Sequence, residues 1–308
     1  MDGENGKAGN PADNKATNAD ARETDSSRRR FLAGGAAGLT GLALAGGFAA
    51  SAASAAASGR YRDSVVLIAG STSGIGEATA HAYAREGASV VVCGRRQERG
   101  NAVVTAIREA GGEASFVQAD VREPEQVRHL VERTVETYGR LDIAFNNAGI
   151  EGPRGGFDEI DIGGDGGYRD VMRTNVDGVF FGMRYQIPVM RKQGGGVIVN
   201  TGSMLSHRGS DFAGAYAGSK HAVIGLTRSA AQREAGNGIR VISVSPGGVE
   251  TDLLERFLGG SLEGAGEDNP MGRIAQPEEV AAVILNLTAA DATFLNGDDV
   301  KIDGAQSA

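Results

Sequence analysis

Tryptophan is absent from the 308 residues, cysteine occurs once, histidine four times and proline seven times. A single cysteine excludes an intrachain disulfide. Four scattered histidines (His81, His129, His207, His221) beside one thiol give no metal-ligand spacing, so no metal site is expected. Cys93 lies in an apolar, strand-like run and reads as a small buried hydrophobe. Basic excess is missing too. The net charge is -8, and all of it lies beyond residue 59, where 25 bases face 33 acids; the first 59 residues balance six against six. An acidic body suits neither nucleic acid nor an anionic membrane surface, and neither is expected as a partner. What is abundant is glycine, 48 residues, much of it between short apolar runs.

The first 26 residues are polar, lack an apolar period and read as disordered. Ser27-Arg28-Arg29-Arg30-Phe31-Leu32 then precedes an Ala/Gly/Leu run to about Ala57. This stretch resembles a twin-arginine export signal: Ser-Arg-Arg, one residue, Phe-Leu, a weakly hydrophobic segment, and Ala-x-Ala sites within Ala49–Ala57. Ala33 stands where a lysine often follows. An uncleaved membrane anchor, since the run is long enough to span, and a plain tail on a cytoplasmic protein are the competing readings. The expectation is that residues 1–57 are an n-region with an export signal, read by the export machinery, and that residues 60–308 form one exported, extracytoplasmic domain.

From Arg60 the chain alternates strand and helix signals. Ser64–Ala69 is a continuous apolar run of the kind a parallel strand buried on both faces shows. It enters Gly70-Ser71-Thr72-Ser73-Gly74-Ile75-Gly76 and then a helical pattern to Glu86. Further strands are predicted at Val90–Cys93, Ala114–Gln118, Leu141–Phe145, Val197–Thr201, Ile239–Val244 and Val300–Ile302. Between them lie helical stretches, including a long one through Asn175 to about Arg191, one bearing Tyr216, and one from Pro277 to Ala289. The fold class predicted is α/β: a doubly wound, Rossmann-type parallel sheet of about seven strands with helices on both faces.

Ser203 and the pentad Tyr216-Ala-Gly-Ser-Lys220 carry the chemistry. Four residues apart on a helix, Tyr216 and Lys220 share one face. A nearby ammonium lowers the pKa of a phenol and makes it a general acid and base. The Gly70–Gly76 turn, between an apolar strand and a helix, has the context of a pyrophosphate site, where backbone N–H groups and the helix dipole meet negative charge. At the end of the second strand Cys93-Gly94 is followed by Arg95-Arg96, with no acid to hold a ribose 2′-hydroxyl. NADP(H) is therefore favoured, NAD(H) being the alternative. Asp120 with Val121, and Asn147-Ala148-Gly149, stand at the carboxyl edge of the predicted sheet, where ligands bind; Asp120 can equally serve as a helix N-cap.

From about Ser64 to Gly304 the chain resembles the compact, single-domain short-chain dehydrogenases/reductases. The resemblance rests on the Gly70–Gly76 turn, Asp120, Asn146-Asn147-Ala148-Gly149, Asn175, Ser203, Tyr216 with Lys220, and Pro246-Gly247, in the family's order and spacing. It implies an oxidoreductase that moves hydride between a nicotinamide cofactor and a secondary alcohol or ketone. Tyr216 would exchange the proton, Lys220 would lower its pKa and hold the nicotinamide ribose, Ser203 would fix the substrate oxygen, and Asn175 would help hold a water beside Lys220. Cofactor contacts are implied for Gly70, Ser71, Ser73, Gly74, Ile75, Gly76, Arg95, Arg96, Asp120, Val121, Asn147, Ala148, Gly149, Tyr216, Lys220, Pro246, Gly247, Val249 and Thr251. A homo-oligomer, a tetramer, is implied as well. Two departures stand out: Ala69 replaces a threonine, which is expected to loosen the link between the glycine turn and the Asn146-Asn147 strand, and Asp303-Gly304-Ala305 stands for Asp-Gly-Gly. Met204, Leu205 and the loop from Glu250 to Pro270 are expected to line the substrate pocket, the loop as a mobile lid. A non-catalytic dinucleotide-binding protein is the reading from another class; the intact Asn175, Ser203, Tyr216 and Lys220 argue against it. Changing Arg28 and Arg29 together to lysine is expected to retain the protein in the cytoplasm, as cell fractionation would show; unchanged fractionation overturns the export expectation.

Overall fold

The computed structural model describes residues 59–308, so the export-signal expectation lies outside the described residues. Seven parallel strands form one sheet: β1 Val65–Ala69, β2 Ser89–Gly94, β3 Glu113–Gln118, β4 Ile143–Asn146, β5 Gly196–Thr201, β6 Ile239–Pro246 and β7 Asp299–Ile302. Their order across the sheet is β3-β2-β1-β4-β5-β6-β7, so the winding reverses between β1 and β4. The helices are α1 Gly74–Arg85, α2 Gln97–Glu109, α3 Pro124–Tyr138, α4 Tyr168–Met172, α5 Gly178–Gln193, α6 Gly214–Glu234, α7 Asp252–Phe257 and α8 Pro277–Thr288. This is the doubly wound Rossmann-type α/β fold expected from the alternation of apolar runs and amphipathic stretches.

Side chains in a strand alternate between the two faces of the sheet, and here both faces are covered. Val66 and Ile68 of β1, Val90 and Val92 of β2, and Ile143 and Phe145 of β4 pack with α1, α2 and α8 through Tyr83, Ile107 and Ile284. The intervening Leu67, Val91 and Ala144 pack on the other face with Leu130, Val179, Met183 and Val223 of α3, α5 and α6. Cys93 is buried in that second layer, as the sequence suggested. Helix ends follow local chemistry: Pro124 and Pro277 begin α3 and α8, and Gly139 and Gly194 close α3 and α5 in the left-handed region.

Three local features differ from the sequence expectation. The long helix through Asn175 is interrupted by a π-turn, Arg173–Asp177, between α4 and α5. The Glu250–Pro270 stretch contains α7, whose N-cap Thr251 accepts a hydrogen bond from the Leu254 N–H, 3.2 Å. Asp120 does not cap α3: Glu123 occupies the N-cap position, and Asp120 instead accepts from the Arg122 N–H at 3.0 Å.

The core also contains a buried amide network. Asn146 of β4 exchanges two hydrogen bonds with Gln186 of α5, 3.1 and 2.8 Å, and donates to Asn200 of β5, 3.0 Å. Asn200 donates in turn to Thr227 of α6, 3.0 Å. These bonds tie β4 and β5 to α5 and α6 directly behind the sheet's carboxyl edge. Asn146→Ala leaves buried amides without partners, so a loss of about 2 kcal/mol is expected. Thermal denaturation should show a fall in Tm of about 4–8 °C.

Candidate active site

The crevice at the winding reversal opens into a cleft of about 1230 Å³. Its floor is set by a close backbone approach. Gly70 has φ +79°, and a Cβ there would lie 2.6 Å from the Ala148 Cα; a Cβ on Gly76 would lie 2.2 Å from the Gly70 carbonyl oxygen. Only glycine lets the turn meet β4 and lets α1 start immediately behind it. Asn147 Nδ2 donates to Gly70 O at 2.9 Å, and the Asn147 N–H donates to Ala69 O at 3.1 Å. The link expected to be loosened by Ala69 is therefore made by Asn147 and the backbone, which do not depend on the missing hydroxyl.

The cleft lining includes Gly70, Ser73, Gly74, Ile75, Arg95, Arg96, Asp120, Val121, Asn147, Ala148, Gly149, Ser203, Tyr216, Lys220, Pro246, Gly247, Val249 and Thr251. Three residues singled out from the sequence stand behind it. Ser71 is fully buried; its hydroxyl donates to Ile68 O at 2.7 Å and accepts from the Cys93 N–H at 2.9 Å, which fastens β1 to β2. Gly76 is packed under the turn. Asn175, also fully buried, accepts from the Ile150 N–H and donates to Ile150 O, both 2.9 Å, and donates to Ser219 Oγ at 3.0 Å. The π-turn aims this amide at two neighbours at once, an arrangement that such helix bulges often serve at functional sites.

Ser219 is a residue that sequence reasoning passed over. It is buried, and its hydroxyl donates to Tyr216 O at 2.7 Å, so it joins Asn175 to the helix that bears the phenol. The available signal was its i+3 spacing from Tyr216 on the same helical face. Thr72 was also missed: its hydroxyl, at 2.9 Å, and that of Ser73, at 2.8 Å, both accept from the Arg96 guanidinium. Burial, then the nearby Arg99, pull the Arg96 pKa below its usual value, so this corner of the cleft favours an added anion. Asp120 is held by Arg122, which also grips Asp170 at 2.6 Å. Burial works to raise the Asp120 pKa, but the hydrogen bonds and charge of Arg122 outweigh it and keep the carboxylate ionised.

At the other end of the cleft, Ser203 caps the 3₁₀ turn Met204–Ser206, accepting from the Leu205 N–H at 3.2 Å, and it hydrogen-bonds the Tyr216 hydroxyl. Lys220 is buried; its Nζ donates to Thr201 O at 2.8 Å and lies 5.5 Å from the centre of the Tyr216 ring. Burial pushes the Tyr216 phenol up to about 12, opposed by the Ser203 hydrogen bond and reinforced by the negative charge of Glu151. Burial holds the Lys220 ammonium down to about 8. The expected lowering of the phenol's pKa by Lys220 is thus overridden in this cleft: desolvation acts on both groups and favours their neutral forms.

Over Tyr216 lies an aromatic wall. Phe257 of α7 packs on Tyr216 at 5.7 Å and on Phe212 at 5.6 Å between ring centres. Met204 and Leu205 line the same end, as expected. Of the Glu250–Pro270 stretch, only the part from Thr251 to Phe257 reaches the cleft. Asp252 pairs with Arg99 at 3.0 Å, Arg256 with Glu151 at 2.7 Å, and Phe257 O accepts from Arg154 at 2.6 Å.

The glycine cradle beside a helix N-terminus, the arginine corner and the phenol–ammonium pair fit a nicotinamide dinucleotide in residue type and placement. Comparisons with known proteins agree. Residues 69–305 match the family described as enoyl-(acyl carrier protein) reductase. A cyclohexanol dehydrogenase of Acinetobacter sp. (strain SE19) is 40% identical over 248 residues, 80% of this chain and 96% of that protein. The crystal structure of levodione reductase superposes with a TM-score of 0.76 at 36% identity, covering 80% of this chain and 98% of that one. The 3-ketoacyl-(acyl-carrier-protein) reductase from Brucella melitensis, complexed with NADH, gives a TM-score of 0.74 at 29% identity, covering 80% and 100%.

The buried ammonium yields a signed expectation. A lysine whose folded pKa is about 8, against 10.5 for the exposed group, destabilises the fold wherever it must stay charged. That penalty is full below pH 8 and fades as pH rises toward 10.5. Lys220→Met should therefore raise Tm at pH 7, and the gain over the parent should shrink between pH 8 and 10.5 in a pH series of thermal melts.

Proposed function

Since the chain belongs to the short-chain dehydrogenase/reductase family and is an NAD(P)-dependent oxidoreductase acting on CH–OH groups, we propose that Tyr216 is its proton donor and acceptor, that NADP(H) is its preferred cofactor, and that its substrate is a cyclic secondary alcohol or the matching ketone. The observation that carries this reading is the Ser203–Tyr216–Lys220 group at one end of a cleft whose other end holds the glycine turn and Arg95-Arg96. The cofactor, when bound, supplies or accepts the hydride. Gly70, Gly74 and the start of α1 would hold its pyrophosphate; Pro246, Gly247, Val249 and Thr251 would border the nicotinamide end.

Ser203 positions the substrate oxygen within reach of the Tyr216 hydroxyl. A phenol with a pKa near 12 is protonated at neutral pH and can donate to a carbonyl oxygen. In the reverse direction Tyr216 takes the alcohol proton, and a charged Lys220 stabilises the resulting phenolate. The wall of Met204, Leu205, Phe212 and Phe257 excludes water and suits an alicyclic ring; the likeness to a cyclohexanol dehydrogenase supports the same class.

For the cofactor, Arg96 reaches the hydroxyls of Thr72 and Ser73, and no acid ends β2. A 2′-phosphate would meet Arg95 and Arg96, whereas a 2′-hydroxyl would find no carboxylate there. The NADH bound in the Brucella melitensis relative supports NAD(H) as the alternative. The family resemblance further supports a homotetramer, and the Ser27–Leu32 motif supports export, with the cofactor loaded before crossing.

Tyr216→Phe should lower kcat by a factor of roughly 10² to 10⁴ for every alcohol or ketone turned over; turnover equal to the parent sinks the proton-transfer assignment. Replacing Arg95 and Arg96 with alanine should raise the KM for NADPH ~10- to 100-fold, the worth of one or two charge-assisted hydrogen bonds, and leave that for NADH nearly unchanged. Equal effects on the two cofactors would overturn the preference for NADP(H).

A further inference from the structure

Among the four histidines, which have no metal-ligand spacing, His207 occupies a junction. It follows directly on the 3₁₀ turn Met204–Ser206 that Ser203 caps, and residues 208–212 after it line the cleft. Its Nε2 lies 2.7 Å from Oδ2 of Asp299 in β7, and the other carboxylate oxygen accepts from Ser245 Oγ of β6 at 2.9 Å. The Asp299 side chain is 2% exposed and that of His207 27%. A buried carboxylate is costly unless paired, so this pair is a strong, directional fastening between the edge of the sheet and a loop. On the far side of the junction, Gly155 N–H donates to Phe212 O at 2.9 Å, which extends the fastening to the segment after β4.

The serine turn has internal bonds of its own. Ser203 N–H donates to Ser206 Oγ at 2.9 Å, and Gly202 N–H to Val244 O at 2.8 Å. These shape the turn and hold its entry from β5. Its exit is held by the His207 side chain; the His207 backbone contributes a long bond, from its N–H to Met204 O at 3.4 Å, within the same turn. Ser203 must present its hydroxyl to the phenol with little angular freedom, because a misplacement of about 1 Å in a reacting group can lower turnover on the order of 10²-fold.

We propose that His207 and Asp299 are positioning residues, which hold the exit of the Met204–Ser206 turn so that the Ser203 hydroxyl stays on Tyr216 and the 208–212 segment stays on the rim of the cleft. His207 is not among the residues that line the cleft, and it acts through Ser203. The kinetic part of this inference rests on the proposed role of Tyr216; the structural part does not.

The test compares the parent with His207→Ala and His207→Gln, the second retaining a side-chain N–H that can reach Asp299. Amide hydrogen exchange followed by mass spectrometry should show residues 202–213 exchanging ~10-fold faster in His207→Ala, with β6 and β7 unchanged and the parent rate restored in His207→Gln. Turnover should follow the same order: kcat reduced ~10-fold in the alanine variant and recovered in the glutamine variant, with the KM for NADPH unchanged in both. Parent-like exchange over 202–213 in His207→Ala overturns the proposal. So does faster exchange spread over β6 and β7, or a glutamine variant that behaves like the alanine one. If the parent turns over no alcohol or ketone, the function assigned to Tyr216 fails, and the exchange comparison still decides the role of His207.

Discussion

A buried ammonium next to a half-buried phenol is the constraint around which the cleft is built. Lys220 and Tyr216 share a face of α6, and their neighbours must keep a potential charge in a place where water is scarce. Burial drives both toward neutrality: it holds the ammonium down to about 8, and with Glu151 it outweighs the Ser203 hydrogen bond to leave the phenol at about 12. The protein opposes this with aimed dipoles: Thr201 O receives the ammonium, and Ser203 hydrogen-bonds the phenol. Such a pair has the chemistry that the proposed proton exchange with an alcohol oxygen requires.

Those dipoles are anchored in turn across the sheet. The Thr201 carbonyl accepts a hydrogen bond from Lys220 Nζ, the Thr201 hydroxyl donates to Asn147 Oδ1 at 3.2 Å, and Asn147 Nδ2 donates to Gly70 O. A series of hydrogen bonds, passing through the Thr201 carbonyl and hydroxyl and the Asn147 side chain, thus runs from Lys220 to the glycine turn. A second chain runs from Tyr216 O through Ser219 and Asn175 to Ile150. Behind both lies the Asn146–Gln186–Asn200–Thr227 network. Buried polar networks of this kind are favourable only when every member is satisfied, and no buried side-chain nitrogen or oxygen among the described residues lacks a partner. The Tyr216–Lys220 end and the glycine-turn end of the cleft are therefore joined by hydrogen bonds, and α7 is fastened by ion pairs from Asp252 to Arg99 and from Arg256 to Glu151.

Much of this was legible before any coordinates. Continuous apolar runs such as Ser64–Ala69 announced strands buried on both faces, and the glycine turn after the first of them announced a helix start beside a crevice. Tyr216 and Lys220 were placed on one face by spacing alone. Other features had no local signature. The π-turn holds the Asn175 amide between Ile150 and Ser219, which are 25 and 44 residues away in the chain. Ser71 looked like a cofactor contact because it lies inside the glycine turn, yet its hydroxyl is claimed by Ile68 and Cys93. Asp120 looked like a helix cap because it precedes one, yet Arg122 and the start of α3 at Pro124 take it elsewhere.

By itself, then, the sequence determined the order and type of the elements, the glycine positions that permit a close approach, and the candidates for proton exchange, because each depends on period, steric freedom or side-chain chemistry within a few residues. Only the tertiary structure decided the protonation tendencies of Tyr216 and Lys220, the enclosure of the cleft by Phe212, Phe257 and α7, and the pairing of His207 with Asp299, 92 residues apart. Desolvation and long-range hydrogen bonding depend on what surrounds a group in space, and that environment is assembled from segments whose separation along the chain carries no local trace.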